Sequence, residues 1–214
     1  MAELTDTLEQ MLEGQTNQIS SRIGADPSTT RSAVHAAIPA LMAALSGEAQ
    51  TERASGLQAA LERDHDGSIL DQLNEYLGGT AQLSPRTTNG AGILDHVLGD
   101  DREEMARALS AKSGLDLGSM GSLLALLAPI LMGMLGKQGR SSGGGGGFSL
   151  PDLGGLLNQE KESARSRNPD LGDILDKFGS GSRGSRPTSG ARRDEGGGGI
   201  MDAIGDLLGG SKDR

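Results

Sequence analysis

The strongest constraint on this chain is an uncharged run at 118–136, GSMGSLLALLAPILMGMLG, whose pattern already occurs ninety residues upstream. Gly24, Asp26, Pro39, Leu41, Met42 and Leu45 return as Gly114, Asp116, Pro129, Leu131, Met132 and Leu135 without a gap, and Ser20 returns as Ser110. Self-similarity at a fixed offset marks an internal pseudo-repeat. Each copy reads as a helix with a proline near its middle, where the missing N–H predicts a bend or break. The fold must bury two apolar helices of one design.

The remaining body follows the same helical spacing. Leu4, Leu8, Met11 and Leu12 share one face over 3–12, and Ile19 and Ile23 continue the pattern to Gly24. Asp26-Pro27 then starts a helix toward Leu45, the aspartate accepting from orphan N–H groups and the proline fitting the first turn. Val34, Ile38, Leu41, Met42 and Leu45 form its buried side. Further helices are predicted over 51–63 (Leu57 and Leu61 inward), over 68–77 as one unit (Ile69, Leu70, Leu73, Tyr76, Leu77), over 92–99, and over 102–112, capped by Asp100 or Asp101. A polar loop through Pro85 and Asn89-Gly90 separates the second and third of these. Strand alternation is absent. The spacing therefore predicts an all-α fold: a compact multi-helical domain over 1–138 around two central Pro-containing helices. Their glycines and alanines are expected to let the two copies pack closely.

Beyond residue 138 the material changes. Twenty of the 35 glycines lie in 139–214, which reads as a Gly-rich, largely disordered tail carrying short apolar islands at 150–157, 171–178 and 200–208. The islands resemble pieces of the body. Gly-Ile-Leu-Asp at 92–95, Asp-Ile-Leu-Asp at 173–176 and Gly-Ile-Met-Asp at 199–202 are variants of one element. Ile200, Met201, Ile204, Leu207 and Leu208 also repeat the spacing of 69–77.

These features together resemble the bacterial YidB-like family: a Gly-x-Asp step, a buried helix with Pro-x-Leu-Met or Pro-Ile-Leu-Met, repeated Gly-Ile-Leu-Asp elements and a Gly-rich end. The resemblance covers roughly 1–138. It implies a soluble all-α domain of unknown function, and brings no catalytic residue with it.

Charge and composition narrow the chemistry. Residues 1–138 hold 9 Lys+Arg against 18 Asp+Glu, and 139–214 hold 11 against 11. An acidic body argues against nucleic acid, which needs clustered cations, and three aromatic residues in all leave little for base stacking. The absence of cysteine removes disulfides, thiol nucleophiles and thiolate metal sites. The acidic start MAELTDTLEQ lacks a basic, apolar leader, so a cytoplasmic location is expected.

No motif reads as an active site. His35, His65 and His96 lack His-pair or His-Glu-x-x-His spacing, and Asp64-His65-Asp66 reads as a solvated acidic loop with Asp66 or Ser68 capping the next helix. No glutamate completes a calcium loop after Asp64, Asp66 and Gly67. The glycine run 143–147 lacks the Lys-Ser/Thr of a phosphate loop, and 118–121 lacks the spacing of a nucleophile elbow. The serine- and arginine-bearing stretch 180–193 reads as spacer.

No enzyme activity, metal, cofactor or small-molecule substrate is therefore expected. The leading expectation is a helical interaction protein whose tail islands dock on the body or on a partner, giving self-association or binding to another protein. Its binding residues would be Ile174, Leu175, Phe178, Ile200, Met201, Ile204, Leu207 and Leu208. The alternative is a membrane-associated or envelope-stress-related protein with 117–136 embedded. Against it, the stretch holds Gly118, Gly121, Gly133, Gly136 and Pro129 and has no aromatic belt, while its upstream counterpart carries Arg31 and His35.

Overall fold

A computed structural model describes residues 4–142 and 150–180, and these residues are helical with no strand. The compact unit they form extends over Met1–Arg183. In chain order its helices are α1 (Leu4–Glu13), α2 (Thr16–Ile23), α3 (Pro27–Ala49), α4 (Ala54–Asp64), α5 (Ser68–Asp71) and α6 (Leu73–Gly78). There follow α7 (Pro85–Thr88), α8 (Gly90–Val97), α9 (Arg102–Ser113), α10 (Leu117–Ser142), α11 (Leu150–Arg167) and α12 (Gly172–Gly179).

The sequence repeat is a structural repeat. α2 ends at Gly24 with φ 72°, its N–H donating to the Ser20 carbonyl, and α9 ends at Gly114 with φ 77°, donating to Ser110. Only glycine takes that left-handed conformation without strain. Two residues on, Asp26 accepts from the N–H groups of Ser28 and Thr29, and Asp116 accepts from that of Ser119. These bonds favour the ionised carboxylates and hold both pKa values below the usual range. Ser119 Oγ also donates to the Ile23 carbonyl at 2.9 Å, joining the second repeat to the first.

Each capped turn launches a long helix that runs through its proline unbroken, α3 past Pro39 and α10 past Pro129. Of the bend or break expected at each proline, the break is not made. At Pro129 the freed acceptor is the Ala125 carbonyl. Gly90, at the start of α8, lies so close that a Cβ there would sit 1.7 Å from the Ala125 oxygen, so a Cα hydrogen takes up part of the lost bond.

α3 is the axis of the unit. From Ala33 to Glu48 every residue except His35 is buried, so its alanine face is covered as fully as its leucine face. A helix apolar on all sides belongs in the middle of a core. α1, α2, α9 and α10 pack around it, and α11 and α12 cover the rest. The two last helices and the 3-10 turn between them (Pro169–Leu171) bring Leu153, Leu157, Ala164, Leu171, Ile174, Leu175 and Phe178 into the apolar core.

Other expectations change in detail. The unit expected over 68–77 is split at Gln72 into α5 and α6. Pro85–Thr88 is a helical turn capped by Ser84. Asp101 takes the N-cap position of α9 but its side chain makes no capping hydrogen bond; a 3-10 turn at Gly99–Asp101 feeds directly into the helix. Gly118, Gly121, Gly133 and Gly136 of α10 do not mediate packing on α3. A Cβ on Gly136 would lie 1.8 Å from the His65 carbonyl oxygen, one on Gly133 would meet Ile69, and one on Gly121 would meet nothing. The close approach is between α10 and the α4–α5 turn.

Candidate docking site

α12 places three of the expected binding residues. Ile174, Leu175 and Phe178 are 7%, 0% and 8% exposed, spaced to share one face of an eight-residue helix laid along α3. Gly179 closes the helix, and a Cβ there would press on the Lys161 side chain at 2.6 Å while only touching Ala43 at 3.4 Å. Polar contacts fix the same arm. Lys177 pairs with Glu104 of α9, Arg165 with Asp176 at 2.7 Å, and Ser46 of α3 donates to Asn158 of α11 at 2.9 Å. Ile200, Met201, Ile204, Leu207 and Leu208 lie outside the described residues.

The arm also carries a charged residue that periodicity alone did not single out. Glu160 is 4% exposed, and its carboxylate accepts from the N–H groups of Leu4 and Thr5 and from Thr5 Oγ1 at 2.8–3.1 Å. Those are orphan donors at the N-terminus of α1, where a negative charge is favoured. Arg167, about two turns further along α11, pairs with Asp6. The cap is supplied from more than 150 residues away.

A recess lies between α4 and the α7–α8 turn, with a volume of about 250 Å³. Leu57, Val97 and Met132 are its buried floor, with Ala60 and Ile93 half-buried at its sides. Arg86, Asn89 and His96 stand exposed at the rim. Thr87 Oγ1 donates to the Asp64 carbonyl and Asn89 caps α8 through the Gly92 N–H, so the walls are tied together.

His65 and Glu48 flank this recess. His65 is buried rather than solvated, 3% exposed, with no hydrogen-bond partner for Nδ1. Burial lowers its pKa, against the opposing pull of Asp64 and Asp66. Glu48, at the end of α3, is buried too, and burial raises its pKa although Arg53 Nε lies 3.2 Å and His96 Nε2 3.8 Å from Oε1. His35, the remaining histidine, pairs with Glu9 at 2.9 Å. Among the described residues no three His, Cys, Asp or Glu side chains are grouped to hold a metal ion. The described residues thus present an occupied apolar face on α3 and an open recess beside α4.

A family model described as a bacterial protein of unknown function (DUF937) matches residues 6–138, from α1 into α10. Neither a curated protein nor a solved structure matches the chain.

Proposed function

The chain belongs to the bacterial DUF937 family, and on that premise we propose that it is a non-catalytic, cytoplasmic interaction protein that self-assembles through short amphipathic helices docked in helical grooves. The observation carrying this reading is α12. A short Asp-Ile-Leu-Asp element buries Ile174, Leu175 and Phe178 on α3, which is helix-in-groove recognition within one chain. The chain carries a further copy of that element, Gly-Ile-Met-Asp at 199–202, followed by Ile204, Leu207 and Leu208.

Magnitudes say how such an element acts. Each fully buried aliphatic side chain stabilises by about 1.5–3 kcal/mol. Fixing the backbone costs about 1–2 kcal/mol per residue. For nine residues with five apolar side chains the two totals are comparable, so one docking is weak. Reciprocal docking between two copies gains through effective concentration.

A second reading has one observation in its favour. α10 is long and apolar enough to cross a membrane over Leu117–Ser141. Of its most apolar window 67% is buried inside the protein, including Leu123, Leu124, Leu127 and Ile130, which supports the first reading.

The test is light scattering on the full chain against a variant with Ile200, Met201, Ile204, Leu207 and Leu208 all changed to serine, without detergent. The native chain is expected to form an oligomer that dissociates on dilution, and the variant a monomer of unchanged helicity. Equal sizes for the two contradict assembly through this element. Protein that sediments with membranes and resists carbonate extraction moves the second reading forward.

A further inference from the structure

We propose that residues 198–205 are a second occupant for the seat of α12 on α3, taking it in an alternative conformation of the same chain in which α12 is released. The inference rests on the reading just given and adds its regulation.

The match is one of register. Laid residue for residue on α12, Gly198 falls on Gly172, Ile200 on Ile174, Met201 on Leu175, Asp202 on Asp176, Ile204 on Phe178 and Gly205 on Gly179. Ile174, Leu175 and Phe178 are the side chains that α12 buries, and each has an apolar counterpart. The glycine that closes the helix is kept too. A Cβ at Gly179 would press on Lys161 at 2.6 Å, and the copies of the element inside the body carry Asn74 and Leu98 at the matching place. Among the Ile-Leu-Asp variants of this sequence, 198–205 alone keeps both the buried face and the closing glycine of α12.

The surroundings of the seat rank the two occupants. Asp176 pairs with Arg165 at 2.7 Å, and Asp202 in the same register brings a carboxylate to that guanidinium. Lys177 pairs with Glu104 of α9, whereas the matching Ala203 brings no cation. Ile204 is also smaller than Phe178, so α12 is the preferred occupant.

Tethering places the competition within one chain. With α12 released, the stretch from Asn168 to Gly198 forms the loop, and added loop length costs little. A tethered segment also outcompetes the same segment of a second copy through its effective concentration. One seat thus serves two helices. Whichever is unseated is the amphipathic helix left for a partner, and the balance on α3 sets which one is offered.

The experiment uses the full chain, which has no cysteine. Glu104→Cys with Ala203→Cys is treated with a short bis-maleimide at a dilution where light scattering reads a monomer. Glu104→Cys with Lys177→Cys reports α12 in its seat. The 104–203 link is expected to form within one chain, more slowly than the 104–177 link. Changing Ile200, Met201, Ile204, Leu207 and Leu208 to serine is expected to slow it at least about tenfold, as loss of apolar anchors does. Leu175→Ala weakens α12 alone of the two occupants and is expected to speed the link at least about tenfold, as truncation of a buried leucine implies. Circular dichroism checks the fold, and the serine comparison decides by itself if Leu175→Ala unfolds. A link formed only between copies, or at a rate that the serine change leaves alone, overturns the shared seat. If the cysteine-free five-serine variant is then monomeric where the native chain assembles, assembly through the element stands and its seat lies elsewhere. If that variant assembles like the native chain, the broader reading falls as well.

Discussion

At Gly136 a single methyl group decides whether α10 can be enclosed. A Cβ there would lie 1.8 Å from the His65 carbonyl oxygen and 3.3 Å from that of Leu61, both backbone atoms that cannot swing aside. Gly136→Ala is expected to cost about 3 kcal/mol or more, the upper range for overpacking. Gly121→Ala, with nothing within 4 Å, is expected to be neutral or to stabilise by up to about 1 kcal/mol. Urea denaturation of the two variants checks the contrast. His65 gives a pH dependence whose sign follows from burial. Its folded pKa is lowered, so the unfolded chain binds the proton better. Stability from the neutral ring is present above the ordinary value of 6.5 and is lost as pH falls through the lowered folded pKa. Glu48, raised by burial, works the other way, favouring the fold below its ordinary 4.5 and losing that as pH rises through its folded pKa. His65→Leu is expected to flatten the decline in urea midpoint between about pH 7 and 5; an unchanged slope would assign the decline to other groups. Neither residue's role was legible in the sequence. Asp64-His65-Asp66 looks hydrophilic, and only the approach of Gly136 to the His65 backbone shows why the ring is enclosed.

At the scale of elements, the repeat was the most legible feature. Gly24 with Asp26 and Gly114 with Asp116 build the same glycine-terminated, aspartate-capped turn, because both depend on local chemistry that a short window contains. The continuity of α3 and α10 through Pro39 and Pro129 was not legible, since a proline's effect depends on what packs against the freed carbonyl. The alanine face of α3 was equally silent. Alanine is compatible with surface or core, and only the arm of α11 and α12 settles it as core here. Glu160 is the polar fastening of that arm. Glu160→Ala is expected to cost about 2 kcal/mol, the upper end for loss of a cap, while Leu175→Ala, removing a 0%-exposed side chain, is expected to cost about 2–5 kcal/mol. Both are checked by thermal and urea unfolding. If instead Leu175→Ala proves neutral, the arm is not part of the cooperative core.

For the whole molecule, the family match ends at residue 138, yet the compact unit continues through an arm that covers one side of α3. The chain thus contains both a face made for a short amphipathic helix and the helix that fills it. In the proposed assembly the same chemistry extends from one chain to two, with the apolar element at 199–208 as the donated segment. The all-α class and the recurrence of the Ile-Leu-Asp element could be read from periodicity and repeated words in the sequence. The recess could not, because Leu57, Ile93 and Met132 meet only through tertiary packing. The most direct test is light scattering behind size exclusion on the full chain and on a chain ended after Arg183, which keeps every described helix. The account predicts a concentration-dependent oligomer for the former and a monomer of the same helical content for the latter; two species of equal oligomeric state would contradict it.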